Sequence, residues 1–188
     1  MKPIVEFTQD MRDTAYDFAY KLETKNNQYP RLGQKENELI ETTFIGKLGE
    51  LAVLSYLNQN GKFPDTEDMF KIFEGQENVD SCDFQLKDGK TVDVKTGYLE
   101  YHKRLMVNQS QLDNSPKDIY IGVKLFTASA SPKQAGNTDK NAWVKAEING
   151  WTTHDKLASV KTRYWGHDYA YALFYTELDS IETLLQLF

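Results

Sequence analysis

Apolar side chains return every three or four positions in two stretches of the N-terminal third of the chain. Over residues 8–24 they follow Thr8, a residue type that caps helix N-termini. Over residues 36–59 they form a broader arc, and Asn60 and Gly61 behind it are a helix-ending signal. The pattern therefore predicts two helices, the second longer than the first.

Two glycines interrupt the second predicted helix. Gly46 and Gly49 lie in its interior, where glycine costs about 1 kcal/mol relative to alanine. A glycine inside a helical pattern indicates close packing, so we expect another backbone to approach the helix at these positions.

From about residue 80 the apolar pattern changes to the alternation that is typical of β-strands. Residues 82–86 and 90–96 flank Asp88 and Gly89, a turn sequence, and predict a hairpin. Further strands are expected at 105–108, 118–126, 143–148 and 169–175, a short helix within 153–165, a closing helix at 179–187 and a loop over 127–141.

Composition agrees with a folded domain. The 188 residues are 40% hydrophobic and 27% charged, a balance that excludes a mainly disordered chain. The order of elements predicts one α/β domain over residues 1–188, in which helices flank a central mixed β-sheet. Its parts are N-terminal helices over 8–59, a hairpin and sheet over 80–126, and C-terminal strands with a helix over 141–188.

Charge and cysteine content limit what the chain can bind. With 22 basic and 28 acidic side chains the net charge is −6, so contact with nucleic acid needs local positive charge or a metal ion. Cys82 is the only cysteine, which excludes an internal disulfide and a cysteine zinc cluster. Neither a signal segment nor a run of about 18 apolar residues is visible, so we expect a cytoplasmic protein with no membrane association.

The predicted hairpin carries the strongest chemical signal. If residues 87–89 form a three-residue loop that ends with Gly89 in the left-handed conformation, Asp83 lies opposite Asp93. Lys95 then shares their face, and the valines on either side of Asp93 point to the core. A two-residue loop at the same turn instead directs Asp83 away from Asp93. The three-residue loop gathers the charges on one face, and is the one we expect.

Two carboxylates directly opposite each other on a sheet repel, and a cation between them removes that repulsion. Carboxylate oxygens without histidine or cysteine favour magnesium. Lys95 reaches the same space, where an ammonium group can hold a water molecule or neutralise a phosphate oxygen. The alternative is an ordinary solvated hairpin face, with an Asp–Lys pair worth about 0–1 kcal/mol.

The order of these residues resembles a known signature. Glu50 lies in the long helix, in the sequence Gly-Lys-Leu-Gly-Glu, and is followed along the chain by Asp83 and then by Asp93-x-Lys95. This combination resembles the PD-(D/E)xK nuclease superfamily, which has the restriction-endonuclease-like fold, over about residues 36–126. Cys82 stands where the family name has proline.

The resemblance implies a divalent-metal-dependent endonuclease, of restriction type or phage type, that hydrolyses phosphodiester bonds in DNA. Asp83, Asp93 and the main-chain carbonyl of Val94 would bind Mg²⁺, for which Mn²⁺ would substitute. Glu50 would help to bind a metal or orient water, and Lys95 would position water or stabilise charge. One such site cuts one strand, so we expect a homodimer.

Basic, aromatic and amide side chains beyond the signature are candidates for contacts with DNA. They are Tyr98, Lys103, Arg104, Gln109, Gln111, Lys133 and Lys140. A second basic and aromatic group follows within residues 156–165. Two other functions stay open: a non-catalytic nucleic-acid-binding or interaction module on the same fold, and a structure-specific nuclease that acts on junctions or repair intermediates.

Overall fold

The computed structural model describes residues 2–24, 36–71, 82–128, 139–166 and 168–188. Its strands are β1 (Ile4–Glu6), β2 (Phe84–Gln85), β3 (Thr91–Gly97), β4 (Arg104–Asn108), β5 (Ile119–Thr127), β6 (Trp143–Thr153), β7 (Arg163–Tyr164) and β8 (Tyr169–Phe174). Its α-helices are α1 (Gln9–Thr24), α2 (Glu36–Gln59), α3 (Gln109–Asn114), α4 (His154–Ala158) and α5 (Ile181–Leu184), with 3-10 turns at Lys140–Ala142 and Leu185–Leu187.

The two N-terminal helices have the predicted bounds and pack against each other. The Thr8 hydroxyl accepts a hydrogen bond from the Met11 N–H at 3.2 Å, which is the capping contact that the sequence predicts. Among the described helices, none is both long and apolar enough to cross a bilayer.

A five-stranded mixed sheet follows, in the order β1-β6-β5-β3-β2. Strands β3 and β5 are parallel, whereas the other neighbours are antiparallel. The chain passes from β3 to its parallel neighbour β5 through β4 and α3. The predicted α/β class with a mixed sheet is therefore confirmed.

A second, three-stranded antiparallel sheet has the order β4-β8-β7. Leu105 of β4 pairs with Leu173 of β8, far away along the chain. This separate sheet was not predicted, because alternation identifies a strand without identifying its partner.

Two apolar cores lie on opposite faces of the first sheet. The larger core packs α1 and α2 against side chains that include Val92 and Val94 of β3. The smaller core includes Tyr120 of β5, Leu105 and Leu173 of the second sheet, and the buried leucines of α3 and α4. The first sheet therefore lies between a helical layer and a layer formed by the second sheet and two short helices.

The C-terminal half departs from the sequence prediction in its details. Strand β6 runs to Thr153, beyond the predicted end at residue 148, because the ladder with β5 skips Asn149 as a bulge and then resumes. Strands β1 and β7 and helix α3 are short elements that the pattern did not predict. Residues 129–138 of the predicted loop lie outside the described part of the chain.

Candidate functional site

The hairpin of β2 and β3 has the predicted three-residue loop. Phe84 pairs with Val92, and the Leu86 N–H donates to the Lys90 carbonyl at 2.9 Å. Gly89 has a φ of +85°, the left-handed conformation that glycine adopts without strain. The paired register ends at Phe84, so the predicted pairing of Asp83 with Asp93 lies one residue beyond the ladder.

Asp83 ends the hairpin by bonding to the backbone of β3. Its N–H donates to the Val92 carbonyl at 2.9 Å, and its Oδ2 accepts the Val94 N–H at 2.6 Å. In a strand, the N–H and C=O of one residue point to the same side. The Val94 carbonyl therefore faces the same edge of the sheet as the Asp83 carboxylate.

Asp93 and Lys95 form a pair beside this edge. Asp93 is 8% exposed, and its Oδ2 lies 2.7 Å from Lys95 Nζ. Lys95 Nζ also donates to Gln111 Oε1 of α3 at 3.0 Å. The ammonium group is thus held between a carboxylate on its own strand and an amide on the crossover helix, so Gln111 supports the site rather than simply filling a loop.

Glu50 is buried and paired with a second lysine. Lys47 Nζ lies 2.7 Å from Glu50 Oε2 and donates to the Met69 carbonyl at 2.6 Å. The same ammonium group lies 4.8 Å and 5.5 Å from the ring centres of Phe18 and Phe70, at cation–π distance. Backbone, carboxylate and aromatic contacts therefore fix the Lys47–Glu50 pair inside the protein.

One of the two helix glycines explains how α2 reaches the sheet. A Cβ at Gly49 would lie 2.0 Å from Thr96 Oγ1 of β3, so only glycine fits there. The contact is with a side chain rather than the expected backbone. At Gly46 nothing lies within 4 Å of such a Cβ, so the expectation of close approach is wrong for that residue.

The charges of the site are unevenly compensated. Lys47 accompanies Glu50 and Lys95 accompanies Asp93, whereas Asp83 has the Val94 N–H. Burial, followed by the charge of Glu50 and then that of Asp93, raises the pKa of Asp83 well above its usual value. Glu50 and Asp93 therefore each have a lysine beside them, whereas Asp83 has no ammonium group of its own among the described residues.

The oxygen donors fit a divalent cation chemically. Asp93 Oδ2 is buried and, despite its ion pair, lacks a hydrogen-bond donor in favourable geometry among the described residues. A hard cation next to Asp83 and Asp93 would compensate both carboxylates. Across the described residues, no three carboxylate, imidazole or thiol groups converge into a preformed metal cage. The fit therefore rests on two carboxylates, with the Val94 carbonyl and water completing the ligands.

Other predicted DNA-contacting residues lie in varied surroundings. The Tyr98 ring packs edge-on against Trp143, with ring centres 5.8 Å apart, at the margin of the larger core. Lys103 is exposed, and Gln109 begins α3 without a hydrogen bond or ion pair to the carboxylate cluster among the described residues. Their contacts with DNA stay predictions.

Two predicted basic contacts, Lys133 and Lys140, precede β6 along the chain. Lys140 is paired with Asp13 of α1 at 2.5 Å, which attaches the 3-10 turn before β6 to the helical layer. Lys133 lies outside the described residues.

Arg104, also a predicted contact with DNA, lies in the second sheet, where its guanidinium is 3.8 Å from the ring centre of Phe174.

A role for Lys47 was not predicted from the sequence. A usable signal was present, because a lysine three residues before a glutamate shares its helix face. That spacing is also common on solvated helices, and what distinguishes this pair is its burial, which depends on tertiary packing.

Comparison with protein-family models, curated proteins and solved structures finds no match to this chain.

Proposed function

We propose that the protein is a divalent-metal-dependent endonuclease that hydrolyses phosphodiester bonds in DNA. The observation that carries the proposal is the Asp93–Lys95 ion pair on β3, beside Asp83, whose carboxylate accepts the N–H of Val94 between them. The resemblance to the PD-(D/E)xK superfamily supports the same conclusion. So does the parallel pairing of β3 with β5, which places a crossover helix behind the Asp-x-Lys strand.

In this proposal each side chain has a task that its contacts favour. Lys95, held by Asp93 and Gln111, presents an ammonium group that binds a phosphate oxygen or a water molecule. Asp83 and Asp93 would hold Mg²⁺ or Mn²⁺ together with the Val94 carbonyl. Glu50, paired with Lys47 on the helix side, would help to bind the metal or orient water.

A bound divalent cation supplies Lewis-acid polarisation of the phosphate and lowers the pKa of a coordinated water. The chain alone offers a phosphate an edge with surplus negative charge, which repels it. DNA is therefore expected to bind this edge weakly in chelator and more strongly with calcium or magnesium.

A non-catalytic nucleic-acid-binding module is the second candidate. It is favoured by the pairing of Glu50 with Lys47, which neutralises the helix carboxylate without a metal. The two candidates differ in whether metal-dependent cleavage occurs, whereas both allow binding.

The test is cleavage of supercoiled plasmid, single-stranded DNA and branched DNA with Mg²⁺, with Mn²⁺ and with EDTA. Wild type is compared with Asp93→Asn and Lys95→Ala, which we expect to abolish cleavage. Asp88→Asn is the matched control, because it makes the same chemical change at an exposed carboxylate in the loop of the same hairpin.

Thermal melts separate loss of metal binding from loss of chemistry. Magnesium should stabilise wild type and Lys95→Ala, because lysine is not a ligand, and the stabilisation should be largely lost in Asp93→Asn. If purified Asp93→Asn cleaves as fast as wild type, the nuclease proposal is wrong. If no substrate is cleaved but DNA is bound, the non-catalytic module becomes the better account. Preference for branched DNA over plasmid would indicate the structure-specific class.

A further inference from the structure

The second sheet has a cavity of about 330 Å³ on its outer face, within the size range of small-ligand sites. Three of its lining residues are cationic: Arg104 on β4, Arg163 on β7, and Lys161 between α4 and β7. Two lining residues are aromatic, Trp165 and Phe174. A cavity with this mixture of side chains suits a ligand that is both planar and anionic.

The sequence of β8 creates the space. Ala172 and Phe174 alternate with the core residue Leu173, so the first two lie on the outer face of the sheet. Ala170 and Ala172 line the floor of the cavity, and because their side chains are small, space remains above them. The inner face of the sheet packs on the smaller core.

The aromatic walls already hold a cation. The Arg104 guanidinium lies 3.8 Å from the ring centre of Phe174 and 5.1 Å from that of Trp165. These distances are typical of cation–π contacts. The guanidinium lies against both rings, and none of its N–H groups has a hydrogen-bond acceptor among the described residues. Those donors are available to a phosphate, which arginine binds through two parallel hydrogen bonds.

Charge in the cavity is positive although the chain is acidic. Within the described residues neither Lys161 nor Arg163 has an ion pair, and the single lining carboxylate, Glu177, accepts the Phe174 N–H at 2.7 Å. The indole N–H of Trp165 is buried and lacks an acceptor in the described part of the chain.

We propose that this cavity binds one unpaired nucleotide of a nucleic acid, with the base stacked on the exposed Phe174 ring and the phosphate on Arg104, Lys161 and Arg163. The identity of the ligand rests on the proposed function, since a nuclease encounters nucleotides. The binding itself needs no metal.

The test uses a fluorescein-labelled single-stranded tetranucleotide in EDTA, with binding followed by fluorescence anisotropy. Its matched control ligand is the same backbone with an abasic site at every position, which keeps the phosphate charges and removes the bases. Base stacking on aromatic side chains is sequence-tolerant and substantial, so the abasic ligand should bind about tenfold or more weakly.

Two variants separate stacking from charge. Ala172→Leu fills the floor of the cavity without changing charge, and it should remove the preference for the base-containing ligand. Lys161→Ala should weaken both ligands by similar factors, because it removes a phosphate contact. Ala128→Leu makes the same chemical change as Ala172→Leu at an exposed position after β5, and Lys62→Ala removes one positive charge beyond α2. Both of these controls should bind like wild type.

Equal binding of the base-containing and abasic ligands, or inhibition of binding by inorganic phosphate as effectively as by a mononucleotide, would reduce the cavity to an anion site and overturn the proposal. Absence of binding would overturn it as well. Plasmid cleavage is scored separately. If binding depends on the base but no DNA is cleaved, the proposal for the cavity stands and the nuclease proposal fails. If DNA is cleaved but binding shows no preference for the base, the nuclease proposal stands and the proposal for the cavity fails.

Discussion

The edge of the first sheet gathers carboxylates, whereas the outer face of the second sheet gathers cations. At the edge, three carboxylates are brought into partly or fully buried positions, and two lysines are fixed beside them. On the outer face, three cations surround a cavity, and among the described residues they have no acidic partner of their own. One chain with a net charge of −6 therefore separates its charges in space.

This difference shows where stability and binding are expected to depend on charge. Buried ion pairs become part of the packing, and removal of one partner leaves an expensive charge inside the protein. Cations at a solvent-accessible cavity contribute little to folding, yet they remain available to a ligand. The comparison gives different predictions for substitutions in the two regions.

The largest effect is expected for Lys47→Met. This substitution leaves Glu50 buried without its cation, which should lower the free energy of unfolding by about 3–5 kcal/mol. The double variant Lys47→Met/Glu50→Gln buries no charge and should recover much of the loss. Urea denaturation in EDTA measures both, and a loss below about 1 kcal/mol for Lys47→Met would show that the pair is not buried in solution.

A smaller loss, about 1–3 kcal/mol, is expected for Gly49→Ala, because the new Cβ would overlap Thr96 Oγ1. Thr96 Oγ1 is buried and lacks a hydrogen-bond partner in the described part of the chain, so Thr96→Ala in the same molecule should restore part of the stability. Gly46→Ala is the matched control. A Cβ at Gly46 meets no atom within 4 Å, so this variant should raise the stability of the helix by up to about 1 kcal/mol.

Asp83→Asn is expected to stabilise the metal-free protein. The amide oxygen can still accept the Val94 N–H, while the repulsion from Glu50 and Asp93 disappears. Like charges on neighbouring strand positions cost about 0.2–1 kcal/mol, so a gain of that size is expected in EDTA. Asp93→Asn is the instructive comparison, because it also removes a partner of Lys95 and should gain less. Equal gains would mean that the two carboxylates share the repulsion evenly.

The sequence was sufficient to predict the elements that are long or that are bounded by capping and turn residues. The two helices follow from apolar spacing and from Thr8, and the hairpin register follows from the glycine at its turn. The same register is the basis of the expected grouping of Asp83, Asp93 and Lys95, of which the structure shows the Asp93–Lys95 ion pair.

Features that depend on distant contacts were not predictable. The strand over Arg104–Asn108 was expected, but its pairing with β8, and hence the second sheet, joins segments that share no local signal. The burial of Lys47 depends on Phe18 and Phe70 from separate parts of the chain. The aromatic and basic group near residues 161–165 was visible in the sequence, whereas the cavity requires Arg104 and the alanines of β8 as well.

The loop between β3 and β4 connects the two regions, and it is expected to weaken in acid. His102 Nδ1 accepts the N–H groups of Tyr98 and Leu99 at 3.1 Å and 3.3 Å, so it must be unprotonated. Burial, followed by the charge of Lys124, lowers the pKa of His102. The unfolded chain then takes up the proton first as the pH falls, so stability is complete above the usual histidine pKa of about 6.5 and is lost below it.

Urea midpoints measured between pH 7.5 and pH 5 test this expectation. The loss between those values should be smaller in His102→Gln than in wild type, because glutamine offers a neutral acceptor that does not titrate. His154→Gln, at a partly exposed histidine beside Asp155, is the comparison variant and should keep the dependence of wild type. A pH dependence that is identical in all three proteins would exclude His102 as its source.

The smallest change in stability is expected on the outer face of the second sheet. Lys161 and Arg163 are exposed, and among the described residues neither forms an ion pair, so Lys161→Ala and Arg163→Ala should each alter the free energy of unfolding by no more than about 0.5 kcal/mol. The same variants should weaken tetranucleotide binding in EDTA, and the weakening should shrink as salt is raised, because the lost contacts are with phosphate. The contrast with Lys47→Met is then complete: one lysine supports the fold, and the other supports only binding. If Lys161→Ala instead destabilises the protein by more than about 1 kcal/mol, the cations of this cavity belong to the packing of the second sheet, and the distinction between the two regions fails.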